Sequence, residues 1–318
     1  MSPAVDIFAS TERLNVDSKS RCQISSREPG GGGINVARNL RRMGLDVMAV
    51  FPAGGFTGEL LTQLLKRDSL PFQRIPIAHE TTQNMGLAET ESGRQFHLVF
   101  PGAKLQESEW QQCLSSISAI EPAPEYLVIS GSLPTGVPVD FFARIAALAK
   151  ERGIRLVLDV SGKPLQLALE TGVYLVKLNR EDFSALGYSG SDDYPSRLDA
   201  LAAMAAKGYA DIMVLTLGPG GALLATREGE NLHAAPPPVE VVSHVGAGDS
   251  FVSVMLARLC RGSSVKKAFR YGVAAAAAAI STEGNQLYDL DLVERIYARM
   301  QTPGSNPGSN PGSNPESN

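Results

Sequence analysis

Cysteine, tryptophan and histidine are scarce in this chain: of 318 residues, 3 are Cys, 1 is Trp and 4 are His. Cys22, Cys113 and Cys260 are far apart and odd in number, which excludes a disulfide framework and a Cys-x-x-Cys metal site, and predicts free thiols in a reducing compartment. The four histidines (His79, His97, His233, His244) have no metal-ligand spacing. Aromatic residues are only 6% of the chain and no basic stretch interleaves with them, so a stacking platform for single-stranded nucleic acid is excluded. Basic charge is also short: 29 Lys and Arg stand against 33 Asp and Glu, a formal net charge of −4. A protein whose main partner is nucleic acid or an anionic membrane surface would carry the opposite excess. No apolar run reaches the roughly 18 residues of a membrane span, and no basic region followed by an apolar core opens the chain. The expectation is a cytoplasmic protein that binds neither nucleic acid nor membrane.

What is present is an alternation of strand and helix. "YLVIS" (126–130), "RLVLDV" (155–160), "YLVKLN" (174–179) and "IMVLTLG" (212–218) are short apolar runs of the kind buried parallel strands have. Helical stretches at 138–153 and 196–208 separate them, and three more helices are expected at 247–261, 264–280 and 289–300. The alternation implies a mostly parallel sheet with helices on both faces. The first third differs: helix, strand and helix at 34–43, 47–51 and 58–67 are flanked by a polar segment at 11–29 and a hairpin pattern at 84–100, as a small accessory sheet would require. The end of the chain, 303–318, is a Pro-Gly-Ser-Asn repeat with nothing to bury, expected to be disordered.

Five segments could carry chemistry. In "HVGAGDSF" (244–251) two glycines precede Asp249 and a helix. Free N–H groups at a helix start suit an anion, and a carboxylate beside an anion has reason to be there only if it takes a proton or merely steadies the helix end. "PGGGGINVARNL" (29–40) lets backbone approach a polar ligand, with Asn35 in the first helical turn, or is a flexible linker. "SPAVD" (2–6) places Asp6 near the start of the chain. "VKLNREDF" (176–183) puts Lys177, Asn179 and Asp182 where a strand ends, a position that suits hydrated Mg²⁺ or a simple helix cap. "TLGPGGALL" (216–224) is a glycine turn between strands, either structural or a bed for a flat ligand. Ser130 and Ser132 in "SGSLP" lack the Gly-x-Ser-x-Gly frame of a hydrolase nucleophile.

Taken in order, these segments resemble the ribokinase-like PfkB family of carbohydrate kinases from Ser2 to about Met300. "GGGGINVARNL" looks like its N-terminal signature and "VGAGDSF" like its C-terminal one. "EPGGGGINVA", "FPAGG", "FPGA", "ISGSLP", "TLGP" and "PPPV" are most similar to the minor, PfkB-type 6-phosphofructokinase branch. The resemblance implies a ribokinase-like α/β domain over 1–302, doubly wound around a mostly parallel sheet, with a discontinuous β-lid at about 8–29 and 82–102 that also forms a homodimer interface. It implies transfer of phosphoryl from Mg-ATP to fructose 6-phosphate, giving fructose 1,6-bisphosphate in glycolysis. Kinases for tagatose 6-phosphate or fructose 1-phosphate, and a catalytically impaired sugar or nucleotide binder, are the alternatives.

By the same resemblance Asp249 is the base and Gly246, Ala247 and Gly248 are the anion hole. Asp6, Gly31, Gly32, Asn35, Arg21 and Ser132 hold the sugar. Lys19, Lys177, Asn179, Thr216, Gly218 and Gly221 line the ATP site, and Asp182 helps to place Mg²⁺. Ser243, Val245, Thr282, Gly284 and Gln286 are candidates to hold a monovalent cation such as K⁺. Four departures stand against the family pattern. The buried strand that precedes its [NS]PxxD segment is missing before Met1. Thr82 stands where Arg is frequent, so Lys19, Arg21 or Arg94 would have to meet the sugar's phosphate. Asp182 replaces a Glu, and His244 replaces a Thr.

Overall fold

The computed structural model describes residues 1–243, 245–282 and 289–301. The chain forms β1 (Ala4–Thr11), β2 (Gln23–Gly30), α1 (Gly32–Arg42), β3 (Ala49–Ala53), α2 (Gly55–Arg67) and β4 (Phe72–Pro76). A hairpin of β5 (Thr82–Glu89) and β6 (Gln95–Leu98) follows, then α3 (Glu107–Ser118), β7 (Tyr126–Ser130), α4 (Phe141–Glu151), β8 (Arg155–Asp159), α5 (Gly162–Thr171) and β9 (Val173–Leu178). The remainder is α6 (Arg180–Ala185), α7 (Tyr194–Ala206), β10 (Ala210–Thr216), β11 (Ala222–Thr226), β12 (Asn231–Ala234), α8 (Ala247–Cys260), α9 (Val265–Ile280) and α10 (Leu290–Gln301). The repeat tail and His244 lie outside the described residues.

The apolar runs form the central sheet, in the order β12-β11-β10-β9-β8-β7. β7 to β10 are parallel and the last two strands antiparallel. Alternate side chains face opposite sides of such a sheet, and here both sides are apolar. Leu156, Leu158, Val176, Leu178, Met213 and Leu215 join one core with α4, α5 and α7. Val157, Leu175, Ile212 and Val214 join the other, with α1, α8 and α9. That two-sided burial is why the strands read as continuous apolar runs rather than alternating ones. A separate parallel pair, β3 and β4, makes a second sheet, and α1 packs on both β3 and β7. Among the described residues no strand joins the two sheets.

The accessory sheet has the order β2-β1-β5-β6. Register sets Asp6 beside Glu28 and Asn84 on one face, and Ile7 beside Met85, itself opposite Leu98, on the other. The second face leaves Met85 and Leu98 exposed, with Ile24, Val99 and Phe100 exposed in the same sheet and the turn after it.

Helix α8 carries the segment on which the chemistry turns, and packing fixes its position. Phe251 is 1% exposed, lies edge-on to Phe269 and crosses α9 over Gly272. The alanine-rich run of α9, with Ala274, Ala275 and Ala278 fully buried, lets its neighbours approach closely. Phe251→Ala is expected to cost about 3–5 kcal/mol, read as a lower urea midpoint. None of the described helices is long and apolar enough to cross a membrane.

Candidate active site

The carboxyl ends of β7, β8 and β9 point toward the start of α8, the place where open parallel sheets bind ligands. Gly246 is the N-cap of α8 with φ 78° and ψ −1°, a left-handed conformation that favours glycine, and no side chain caps the helix. The first N–H groups of the helix are therefore available to an anion. Asp249 follows in the first turn. Its Oδ2 accepts from Asn35 Nδ2 at 2.9 Å, and its Oδ1 accepts from Ser130 Oγ at 3.4 Å. Burial, and next the nearby Asp159 charge, push its carboxyl from the ordinary aspartate value up to about 6, while Asn35, Lys177 and Ser130 pull the other way. A carboxyl of that acidity is ionised at neutral pH yet basic enough to take a proton.

Gly32 is where the two signature segments meet. A Cβ there would overlap Ser130 Oγ and come within 2.9 Å of Asp249 Oδ1. Asn35, one turn along α1, has a buried Oδ1 with no hydrogen-bond partner. An orphaned acceptor beside a carboxylate is costly and suits the O–H groups of a polyol.

Lys177, at the end of β9, pairs with Asp159 at the end of β8, Nζ to Oδ1 at 2.7 Å, with both side chains largely buried. The pair lies against the anion turn: a Cβ on Gly248 would be 3.4 Å from Lys177 Nζ and 3.6 Å from Asp159 Oδ2. Asn179 and Asp182 form a reciprocal capping box on α6. Asp182 N donates to Asn179 Oδ1 at 2.7 Å, and Asn179 N donates to Asp182 Oδ2 at 3.2 Å. The helix-cap alternative for this pair is therefore realised, and Asp182 keeps Oδ1 for another partner. Thr216 Oγ1 donates to Leu178 O at 3.1 Å, tying β10 to β9. Beyond it Gly218 and Gly221 close a tight turn through Gly221 N to Gly218 O at 2.9 Å. His233 contacts Gly220 O from the side.

Asp6 lies in the accessory sheet against Gly30, at the start of the glycine run, its Oδ1 accepting from Asn84 Nδ2 at 2.9 Å. Ser132 bonds Ser2, Oγ to Oγ at 3.2 Å. Ser243 is buried and accepts from Val245 N at 3.2 Å, while its own N–H bonds Ile280 O at 3.0 Å, two residues before Thr282. Ser243 therefore lies beside the segment that leads to Thr282, while Gly284 and Gln286 lie outside the described residues. Lys19 and Arg21 are exposed between β1 and β2, and among the described residues no hydrogen bond or ion pair of their side chains joins them to the cluster. Arg94, a candidate to meet a phosphate, is committed elsewhere: Glu89 holds it at 2.6 Å.

Sequence reasoning missed Asp159, Ser130 as a partner of Asp249, and Asn84. The first two had a signal, since each is the polar residue that ends an apolar parallel strand. Asn84 had none, because its link to Asp6 depends on the pairing of strands 78 residues apart.

With this geometry in view, comparison with known proteins is specific. The pfkB family carbohydrate kinase profile matches residues 3–291. The chain belongs to this family. Two relatives in it are named ATP-dependent 6-phosphofructokinase isozyme 2. The Mycobacterium tuberculosis protein is 38% identical over 303 residues, 95% of this chain and 89% of its own. The Escherichia coli protein is 38% identical over 299 residues, 94% of this chain and 96% of its own. A crystal structure of the E. coli phosphofructokinase-2 with substrates and products superposes with a TM-score of 0.89, covering 95% of this chain and 98% of that one. The same protein has been solved with potassium and in a tetrameric inhibited form. The mixed α/β, mostly parallel architecture of this pfkB kinase is the one those structures share.

Proposed function

We propose that this pfkB kinase transfers the γ-phosphoryl group of ATP to the 1-hydroxyl of fructose 6-phosphate, giving fructose 1,6-bisphosphate and ADP. The observation that carries the reading is the desolvated Asp249 carboxylate at the start of α8, one turn from free helix N–H groups and gripped by Asn35. Asp249 takes the hydroxyl proton as the sugar oxygen bonds phosphorus and the bond to the leaving ADP oxygen breaks. The N–H groups of Gly246, Ala247 and Gly248 carry the charge that develops on the transferring group. Lys177, held by Asp159, faces the same turn and adds a positive charge there. Asp6, with Asn84, and Asn35 supply sugar-hydroxyl partners. Gly31, Gly32 and Ser132 let the backbone come close, and Thr216, Gly218 and Gly221 line the nucleotide.

Among the described residues no group of three or more His, Cys, Asp or Glu could hold a metal. Mg²⁺ needs no such group, since it keeps most of its water and takes one or two carboxylates plus phosphate oxygens. Asp182 Oδ1 is a hard donor of this kind. Asp182 would hold Mg²⁺ bound with the nucleotide, which would neutralise phosphate charge there. We also assign K⁺ to the loops of Ser243–Val245 and Thr282, supported by the place of Ser243 beside the segment that leads to Thr282 and by the potassium complex of the E. coli relative. The exposed apolar face of the accessory sheet is where a second copy of the chain would sit, as a homodimer. Three free cysteines accord with a cytoplasmic enzyme.

A panel of fructose 6-phosphate, tagatose 6-phosphate, fructose 1-phosphate and ribose, assayed by ADP release, tests the substrate. Preference for fructose 6-phosphate is expected, and preference for another sugar would replace it. The site for the sugar's phosphate is the part most open to change. Thr82 donates to Pro101 O at 2.6 Å and carries no charge, and Arg94 is spent on Glu89. Exposed Lys19 and Arg21 are left to meet the phosphate. Thr82→Arg is therefore expected to lower KM for fructose 6-phosphate by about tenfold through a charge-assisted bond. An unchanged or higher KM would show that another residue already fills the role.

A further inference from the structure

The Asp249 carboxylate has two partners of different chemistry. Asn35 turns the N–H₂ of its amide toward Asp249, so in this orientation it donates, and it holds Oδ2 at the shorter distance while its own Oδ1 points elsewhere. Ser130 offers a hydroxyl, which can donate or accept by turning about its C–O bond, and it reaches Oδ1. The other charged groups that bear on Asp249 are Lys177 on β9, which donates only, and Asp159 on β8, whose negative charge opposes ionisation. When Asp249 takes a proton, the new O–H needs an acceptor. Oδ2 already faces a donor, so the proton belongs on Oδ1. Among the described side chains that bond the Asp249 carboxylate, Ser130 serves both states by turning its hydroxyl alone, whereas Asn35 would have to turn its whole amide to present Oδ1. Ser130 is 5% exposed at the end of β7, and Gly32 leaves it the space to reach the carboxylate.

We propose that Ser130 is a positioning residue for phosphoryl transfer: its hydroxyl donates to Asp249 Oδ1 before the proton is taken and accepts from the carboxylic acid afterwards. The proposal rests on Asp249 being the base. No extra proton enters or leaves. The acceptor hydroxyl loses one to Oδ1, and Ser130 keeps its own while reversing its direction.

Three variants decide the matter: Ser130→Ala, Ser130→Thr and Ser130→Cys. Carbon-13 NMR of protein labelled at the aspartate carboxyls follows the titration of Asp249, assigned by the signal lost in Asp249→Asn. Ser130→Ala is expected to raise the titration midpoint by about half to one pH unit, since a donor to the ionised form is gone. It should move the acid limb of kcat/KM by the same amount, and lower kcat at neutral pH by about fivefold to tenfold with KM for ATP unchanged. Ser130→Thr keeps the hydroxyl and should restore kcat to within about twofold. Ser130→Cys, a poor donor of similar shape, should follow Ala and gives the same reading if Ala impairs folding. A midpoint and an acid limb that stay within about 0.2 of the unsubstituted protein in Ala and Cys would overturn the proposal. So would failure of Thr to restore kcat in a protein of unchanged thermal midpoint. The NMR midpoint needs no turnover, so it judges Ser130 even if the chain proves to have no kinase activity.

Discussion

Asp249→Asn should lower kcat by about a thousandfold, the range expected when a general base is removed, while the protein stays folded. Two features of the site make the loss specific. The carboxylate lies in the first turn of α8, and its partners Asn35 and Ser130 both donate to it, so neither takes its place as a base. Stability should move the other way. With a folded pKa of about 6 against the ordinary aspartate value of 3.8, the folded state binds the proton more tightly than the unfolded one. Between those two values the stability contributed by this group falls as pH rises, and above about pH 6 the cost of holding the ionised carboxylate is fully present. An amide carries no such cost, so Asp249→Asn is expected to melt no lower than the unsubstituted protein at pH 7, by calorimetry. In the unsubstituted enzyme the same pKa predicts an acid limb of kcat/KM near pH 6, with activity lost below it as the base is protonated.

Gly32→Ala should cost about a hundredfold in kcat/KM. One methyl group there cannot be accommodated without moving Ser130 or Asp249, because the Cβ overlaps the first and presses on the second. Displacement of a base by about 1 Å costs on the order of a hundredfold. The neighbouring Gly33 is a sharp control: a Cβ there meets only Ser130 O, at 3.9 Å, an ordinary contact. Gly33→Ala should therefore retain most activity. Steady-state kinetics of the two variants side by side separates a steric demand at one glycine from a general need for a flexible run. Equal losses in both would contradict the reading.

Much of the fold was legible because both faces of the main sheet are covered. Val157 and Leu158 are buried on opposite sides, so the run they belong to could be nothing but an inner strand. The glycine turn before Asp249 was legible for a local reason, since it is followed directly by a helix, and that helix is buried all round from Ser250 to Ala257 rather than on one face. The accessory sheet was harder. β1 is a regular strand carrying Asp6, yet its segment reads as the loose start of a chain, because its partners β2 and β5 lie far along the sequence. The same non-locality hid the pairing of Lys177 with Asp159, which is set by adjacent strand ends rather than by spacing. Asp182 shows the opposite case. Its local signal supported two readings, and the capping box answers the structural one while leaving an oxygen for the other.

The central claim is that this chain moves phosphoryl from ATP to a sugar phosphate with Asp249 as the base. Phosphorus-31 NMR of purified protein with Mg-ATP and fructose 6-phosphate tests it most directly, run beside Asp249→Asn. The expected result is growth of a 1-phosphate ester resonance of fructose 1,6-bisphosphate matched by ADP, and no such growth with the variant over the same time. Turnover by Asp249→Asn at a rate near that of the unsubstituted protein, or a folded unsubstituted protein that forms no new phosphate ester, would contradict the account.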